Sequence, residues 1–236
     1  LMAISSARES LSHALTNRFL PNLEYLLQGS ILDSAVEHLM HRLKGLCDNV
    51  DTSPEPFHDL EVCMSLRQAN SNQPLLLRVR RALGRDAPFQ MRYLGQPEVD
   101  IRRPTLVRSC MDCACTNGIL DFLSEMGFRL EFEYIAKGEQ RNGFTKVVAL
   151  LTLQFAGYMF RKGRMKITVS KLIKIVPGKQ QDMANEPISQ SYIVELSVVA
   201  PTGQENVGEE MRVFAEQLKP LVQLEKIDYK RLGNLP

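Results

Sequence analysis

Ser191-Tyr192-Ile193-Val194-Glu195-Leu196-Ser197-Val198-Val199 is the stretch that most limits the fold. It is rich in β-branched and aromatic residues, which suit a pleated surface. Tyr192, Val194, Leu196 and Val198 fall on one face of a strand and Ser191, Glu195 and Ser197 on the other, with Ile193 the exception. Such a strand needs an apolar surround on one side and a polar one on the other. Pro201-Thr202-Gly203 ends it, because proline cannot donate to a ladder and glycine opens a turn. A helix follows with Glu209 and Glu210 in its first turn and Lys219 in its last, the order the helix dipole favours. Met211, Phe214, Ala215 and Leu218 share one face of it. Pro220 limits its length. The unit reads as a strand, a turn and a helix that packs back.

The same grammar recurs upstream. Leu23 to Ile31 is a first strand, and Leu60–Leu66, Leu75–Arg81, Gln90–Leu94 and Thr105–Cys115 follow after a loop from Asp48 to Pro56. Pro74, Gly84, Gly95-Gln96-Pro97 and Pro104 punctuate them. Phe128 to Ala136 alternates cleanly, and Met159 to Val176 is a long strand region broken near Gly163. Short strands with regular turn signals predict a barrel or sandwich. Helical patterns do not alternate with the strands, which disfavours a parallel α/β fold. The expectation is a mainly β (α+β) chain: a single antiparallel β-barrel with about three packed helices. Asp33 or Ser34 can cap the first helix, and Ser34 with Glu37 fits a capping box; its apolar stripe is Val36, Leu39, Met40, Leu43 and Cys47. Asn117 can cap a second, with Ile119, Leu120, Leu123 and Met126 on its apolar side and Gly127 as its stop.

Composition narrows the function classes. Hydrophobic residues make up 44% of 236, enough for a real core. A net charge of +2 with no long basic run and no helix-turn-helix pattern gives no case for direct nucleic-acid binding. Five cysteines without disulfide-framework spacing suit a reducing compartment. No apolar run reaches the roughly 20 residues of a membrane helix. His38 and His41 lie at i and i+3 but lack matching ligands, and Cys110-x-x-Cys113-x-Cys115 lacks the second pair a zinc ribbon requires. Both are read as structural, so no metal or cofactor is expected. The chain begins at Leu1, which reads as a fragment or an imperfect gene model. Residues 1–22, with Arg8, Arg18 and the single acid Glu9, are mildly like a transit peptide and are expected to be a poorly ordered tail. The domain proper is expected over 23–232.

Several longer words carry a resemblance. Tyr25-Leu26-Leu27-Gln28-Gly29-Ser30, Leu43-Lys44-Gly45-Leu46-Cys47-Asp48-Asn49 and Arg92-Tyr93-Leu94-Gly95-Gln96-Pro97-Glu98 come first. The strand from Ser191 to Pro201, Phe214-Ala215-Glu216-Gln217-Leu218-Lys219-Pro220-Leu221-Val222 and Leu224-Glu225-Lys226-Ile227-Asp228 follow in order. Together they resemble the Mediator complex subunit 18 family from about Glu24 to Arg231. The resemblance implies a nuclear, non-enzymatic subunit of the Mediator head module, which connects activators to RNA polymerase II. It implies a heterodimer with Mediator subunit 20 and docking of a C-terminal helix of subunit 8. Helix-in-groove docking is read by spaced apolar anchors. Val36, Leu39, Met40, Leu43, Met211, Phe214 and Leu218 are therefore the candidate partner-contact residues. The same stripes also fit a bland role, closing the chain's own barrel.

The family resembles the tunnel-type triphosphatases in fold, which supplies the alternative function: a metal-dependent triphosphate-tunnel phosphohydrolase. Those enzymes hold metal with Glu-x-Glu pairs and phosphate with Arg and Lys. Glu131-Phe132-Glu133 and Arg78, Arg80, Arg161, Lys162 and Lys166 match in type. The first strand departs: Glu24-Tyr25-Leu26-Leu27-Gln28 places Leu26 where a second carboxylate belongs and Gln28 where lysine belongs. Half a carboxylate set holds metal poorly. Finally, members of the resembled family run almost directly from the equivalent of Ala136-Lys137-Gly138 into Tyr158-Met159-Phe160, whereas 19 residues, Glu139 to Gly157, intervene here. Gly138-Glu139 can be encoded with a splice-donor pattern and Phe155-Ala156-Gly157 with an acceptor pattern. The segment reads as a retained intron; the alternative is a true loop extension with an added strand over Val147–Phe155.

Overall fold

A computed structural model describes residues 22–48, 54–67, 74–83, 86–98, 100, 102–130, 153–174, 186–204 and 206–227. Expectations for 1–21, Glu131, Glu133 and 139–152 lie outside the described residues. Ten strands form one sheet: β1 (Asn22–Leu32), β2 (Glu55–Leu66), β3 (Leu75–Ala82), β4 (Phe89–Leu94), β5 (Leu106–Cys115), β6 (Arg129–Leu130), β7 (Leu153–Lys162), β8 (Met165–Lys174), β9 (Glu186–Pro187) and β10 (Ser191–Pro201). Three helices accompany them: α1 (Val36–Leu46), α2 (Ile119–Glu125) and α3 (Val207–Glu216). The neighbour order is β10-β1-β5-β4-β3-β2-β7-β8, and β10 pairs with β8 to close the ring. All strand pairings among the described residues are antiparallel, so the expected antiparallel barrel is what the chain forms. Closure removes the long sheet edges that invite aggregation.

The barrel is apolar outside and charged within. On β10, Val194, Leu196 and Val198 are buried against the helices, while Glu195, Ser197 and Val199 face the lumen. On β8, Ile167 and Val169 point outward and Lys166, Thr168 and Ser170 inward. Strand periodicity makes the two faces chemically independent, and the helices supply the missing apolar surround. Leu39 and Leu43 of α1 and Met211, Phe214 and Ala215 of α3 join Phe160, Ile167 and Leu196 in one cluster over β1, β7, β8 and β10. A second, smaller cluster sets Leu123 of α2 and Phe128 against Val62, Met64, Leu77, Val79 and Phe89. Each fully buried aliphatic or aromatic side chain contributes about 1.5–3 kcal/mol relative to exposure.

Several local expectations are corrected. The first helix is entered through a 3-10 turn at Asp33–Ala35 with no side-chain cap, so the Ser34 capping box is not made; Asp33 instead pairs with Lys171. Asn117 does not cap α2, whose first turn is preceded by Gly118, and Met126 is exposed rather than on the apolar side. α3 ends at Glu216, so Lys219 lies beyond its last turn, where it pairs with Glu216. β2 begins at Glu55, inside the expected loop, because β7 pairs with it from Glu55 to Glu61. The break near Gly163 is a hairpin: its φ of +54° fits a glycine, and β7 and β8 pair from Lys162↔Met165 outward.

β6 and β7 lie along the same edge of β2, with Leu130 opposite Met64 and Leu153 opposite Glu61. Three steps along β2 thus correspond to twenty-three from β6 to β7, a surplus of twenty residues.

Candidate functional site

The inward faces enclose a cavity of about 800 Å³. β1 contributes Glu24 and Leu26, β2 Glu55, Asp59 and Glu61, β3 Arg78 and Arg80, and β4 Arg92. Arg108 and Asp112 come from β5, Arg161 from β7, and Lys166 from β8. On β1, β3, β4, β5 and β8 these residues alternate with side chains on the outer wall, as the strand period requires, whereas β2 lines the cavity with the consecutive residues Glu55 to Asp59.

Arginine bonds hold most of the carboxylates. Arg108 Nε donates to Glu24 Oε2 at 2.6 Å, and Arg92 Nη1 donates to Glu24 Oε1 at 2.7 Å. Arg92 also grips Asp112 with two parallel bonds of 2.6 and 2.7 Å. Arg80 donates twice to Glu61 Oε2, at 3.1 and 2.5 Å, and Arg78 lies 3.6 Å from its other oxygen. Such planar, bidentate pairs are the strong form of the ion pair. Burial works to raise the Glu61 carboxyl, but Arg80 and Arg78 outweigh it and hold the group below the usual carboxylate range. Asp59 lies 3.9 Å from Arg80 Nε, and burial outweighs the nearby positive charge to push its carboxyl up. Lys166 is pushed down, first by burial and then by repulsion from Arg80 and Arg92.

The cysteines behave as small apolar side chains. Burial pushes the Cys110 and Cys47 thiols up to about 11, so neither is a thiolate at neutral pH. His38 and His41 are exposed on α1. Among the described residues no three His, Cys, Asp or Glu side chains group as a metal site would. Of the phosphate-type cations read from the sequence, Arg78, Arg80, Arg161 and Lys166 line the lumen, while Lys162 sits by a shallow groove beside α3. Sequence reading missed Arg92, Arg108, Asp59 and Glu61 as lumen residues. Their signal was the inward parity of β2, β4 and β5, legible only once closure says which face is inward.

The seven candidate partner-contact residues come together on one side of the barrel. Leu39, Leu43, Met211, Phe214 and Leu218 are buried against its outer wall, and Val36 and Met40 are partly buried against the same cluster. Beside them a groove is lined by Met165, Phe214, Gln217 and Val213, the last about half exposed.

Fold and lumen together define a closed antiparallel barrel with helices packed on its outer wall and a lumen in which carboxylates and basic side chains interleave. Comparison with known proteins makes that class specific. The Med18 protein family model matches residues 23–148 and 153–233. Mediator of RNA polymerase II transcription subunit 18 from Drosophila melanogaster is 87% identical, across 99% of this chain and 99% of that protein. The subunit 18 proteins of Aedes aegypti and Danio rerio are 58% and 51% identical, across 98% and 89% of this chain and 96% and 91% of their own lengths. Among solved structures, the Schizosaccharomyces pombe Mediator head module contains a chain that matches at a TM-score of 0.60 and 13% identity, across 87% of this chain and 98% of that one, a likeness of fold. The chain belongs to the Mediator subunit 18 family.

Proposed function

We propose that the protein acts as a non-enzymatic subunit of the Mediator coactivator, supporting RNA polymerase II transcription through protein contacts in the nucleus. The supporting observation is 87% identity with the Drosophila subunit across 99% of both chains. The lumen agrees with it, because the acids best placed to hold metal are already bonded to arginine. The expected partners are Mediator subunit 20, as a heterodimer, and the C-terminal helix of subunit 8. We assign the partner-facing surface to the helix-covered side of the barrel, where Val36 and Met40 of α1 are only partly buried and Leu39, Leu43, Met211, Phe214 and Leu218 hold the helices on the wall. An interface of standard size buries about 1,600 Å² in total, which one face of a small barrel can supply.

The segment 139–157 is proposed to be surplus to this role. Joining Gly138 to Tyr158 removes 19 residues against a register surplus of twenty, so β6 and β7 become one strand with a single-residue bulge. Gly138 then takes the place of Gly157, where a Cβ would overlap the Val169 carbonyl oxygen.

The test is co-expression with subunit 20 and the subunit 8 C-terminal segment, with and without 139–157, followed by size-exclusion chromatography. One complex from both forms is expected. If neither form assembles although each chain is folded, the partnership fails; if only the shorter form does, the segment is an artefact of the gene model. The enzymatic alternative has its own assay. With magnesium or manganese the pure protein is expected to release no phosphate from nucleoside triphosphates or triphosphate-ended RNA, and metal-dependent turnover lost on Glu131→Ala or Glu133→Ala would overturn the scaffold reading.

A further inference from the structure

Strand parity divides the cysteine cluster on β5. Cys110 shares the parity of Arg108 and Asp112, which line the lumen, and is buried. Cys113 and Cys115 take the other parity, on the outer wall, where Cys115 is partly buried against the cluster under α2 and Cys113 is exposed. Residues i and i+2 of a strand project in parallel from positions roughly 7 Å apart. These two thiols lean together across that gap: Cys113 Sγ lies 3.5 Å from the Ala114 carbonyl oxygen, and Cys115 Sγ turns back to the Cys113 carbonyl oxygen at 3.7 Å. A third sulfur arrives from β4. Met91 stands directly opposite Cys113 in the register, a position that sets Cβ atoms about 4.5–5.5 Å apart. Met91 packs on the same outer cluster as Cys115, so the three sulfurs share one side of the sheet. Among the described residues no His, Asp or Glu joins the two cysteines in a group of three. The side-chain donors at this spot are sulfur alone.

We propose that Cys113 and Cys115, with the Met91 thioether as third donor, bind copper(I) on the outer wall of the barrel. Thiolate and thioether sulfurs are soft ligands and select copper(I) over harder cations. Zinc asks for four ligands in a tetrahedron, which two cysteines and one thioether do not supply. A metal bridging the thiols sets their sulfurs no more than about 4.6 Å apart, twice a metal–thiolate bond of ~2.3 Å, and rotation about χ1 closes the gap. The Met91 side chain has the flexibility to follow. Met111, on the same face and 56% exposed, and the exposed Cys113 leave the ion a path from solvent. Each thiol gives up its proton to water as its sulfur takes the metal, and the copper stays monovalent throughout. Burial, and then the hydrogen bond with Cys113, push the Cys115 thiol up, so this sulfur enters the exchange protonated. The inference does not rest on the Mediator partnership, because Met91 and Cys115 belong to the α2 cluster and the proposed partner surface to the cluster under α1 and α3.

The test is an anaerobic titration of the full chain with copper(I), kept monovalent by ascorbate and contested by the chelator bathocuproine disulfonate, whose copper complex is read by its absorbance. One copper per chain is expected. Cys113→Ser and Cys115→Ser are each expected to weaken binding by about tenfold or more, and Met91→Leu by about threefold, because a thioether is a weaker donor than a thiolate. Cys63→Ser, which stands opposite the lumen-lining Arg78, is expected to bind like the parent. Release of two protons per ion makes the affinity fall by up to about a hundredfold for each unit of pH below the thiol range. Thermal melts of the metal-free chains separate lost binding from lost fold, and Cys113→Ser, at an exposed site, should melt with the parent. Binding unchanged in both serine variants, weakened equally by Cys63→Ser, or indifferent to pH would overturn the proposal. Parental affinity in Met91→Leu would overturn the thioether's part in it.

Discussion

Replacing Glu24 with alanine is expected to lower the unfolding free energy by about 3–5 kcal/mol, the usual cost of orphaning one member of a buried ion pair. Glu24 is 5% exposed and binds both Arg92 and Arg108. Arg92 keeps its two bonds to Asp112, so the damage falls on Arg108, whose ion pair among the described residues is with Glu24. The melting temperature should fall by about 6–20 °C for a chain of this size. The double variant Glu24→Leu with Arg108→Met tests the cause. Replacing a buried pair with apolar groups of similar volume is often neutral or stabilising, so most of the loss should return. If the double variant is as unstable as the single one, the pair is not what holds β1 to β5. The same geometry bears on function: a carboxylate shared by two guanidinium groups has little lone-pair capacity left for a cation.

Glu24 also shows what the sequence could and could not tell. Alternation over 191–199 identifies a strand with one polar and one apolar face, and the structure keeps every assignment on it, Ile193 included as a half-buried exception. What alternation leaves open is which face is inside. In a sandwich the apolar face of β10 would be the interior; in this barrel it is the outer wall, because α1 and α3 cover it. Helix stripes were similarly visible, since Leu39, Leu43, Met211 and Leu218 are all fully buried. Their target was not, because a stripe says only that something apolar faces it. Caps failed for a different reason. Asp33 had a choice between capping α1 and meeting Lys171, a residue 138 positions away in the chain, and the long-range pair won. Arg92 and Arg108 stayed hidden for the same cause: Arg92 and Glu24 are 68 residues apart and meet only when β5 lies between β4 and β1.

Phe160→Ala is expected to cost about 3–5 kcal/mol, the range for a buried aromatic cut back to a methyl group. Phe160 has no exposed surface and is the largest of the fully buried side chains. It stands on β7 opposite Ile167 and joins the cluster that includes Leu39 and Leu43 of α1 and Met211 of α3. Its neighbours Met159 and Arg161 point the other way, into the lumen. One side chain therefore fixes both the helix layer outside and the position of a lumen arginine inside. Denaturant unfolding of Phe160→Ala, Phe160→Leu and Val213→Ala separates packing from nonspecific damage. Phe160→Leu should recover more than half of the loss, and Val213→Ala, at a half-exposed site on α3, should stay within about 0.5 kcal/mol of the parent. A loss below about 1 kcal/mol in Phe160→Ala would mean that α1 is not docked on β7. With α1 free of the wall, Leu39 and Leu43 would face solvent or a partner, and the partner surface proposed above would have to be redrawn around those two leucines.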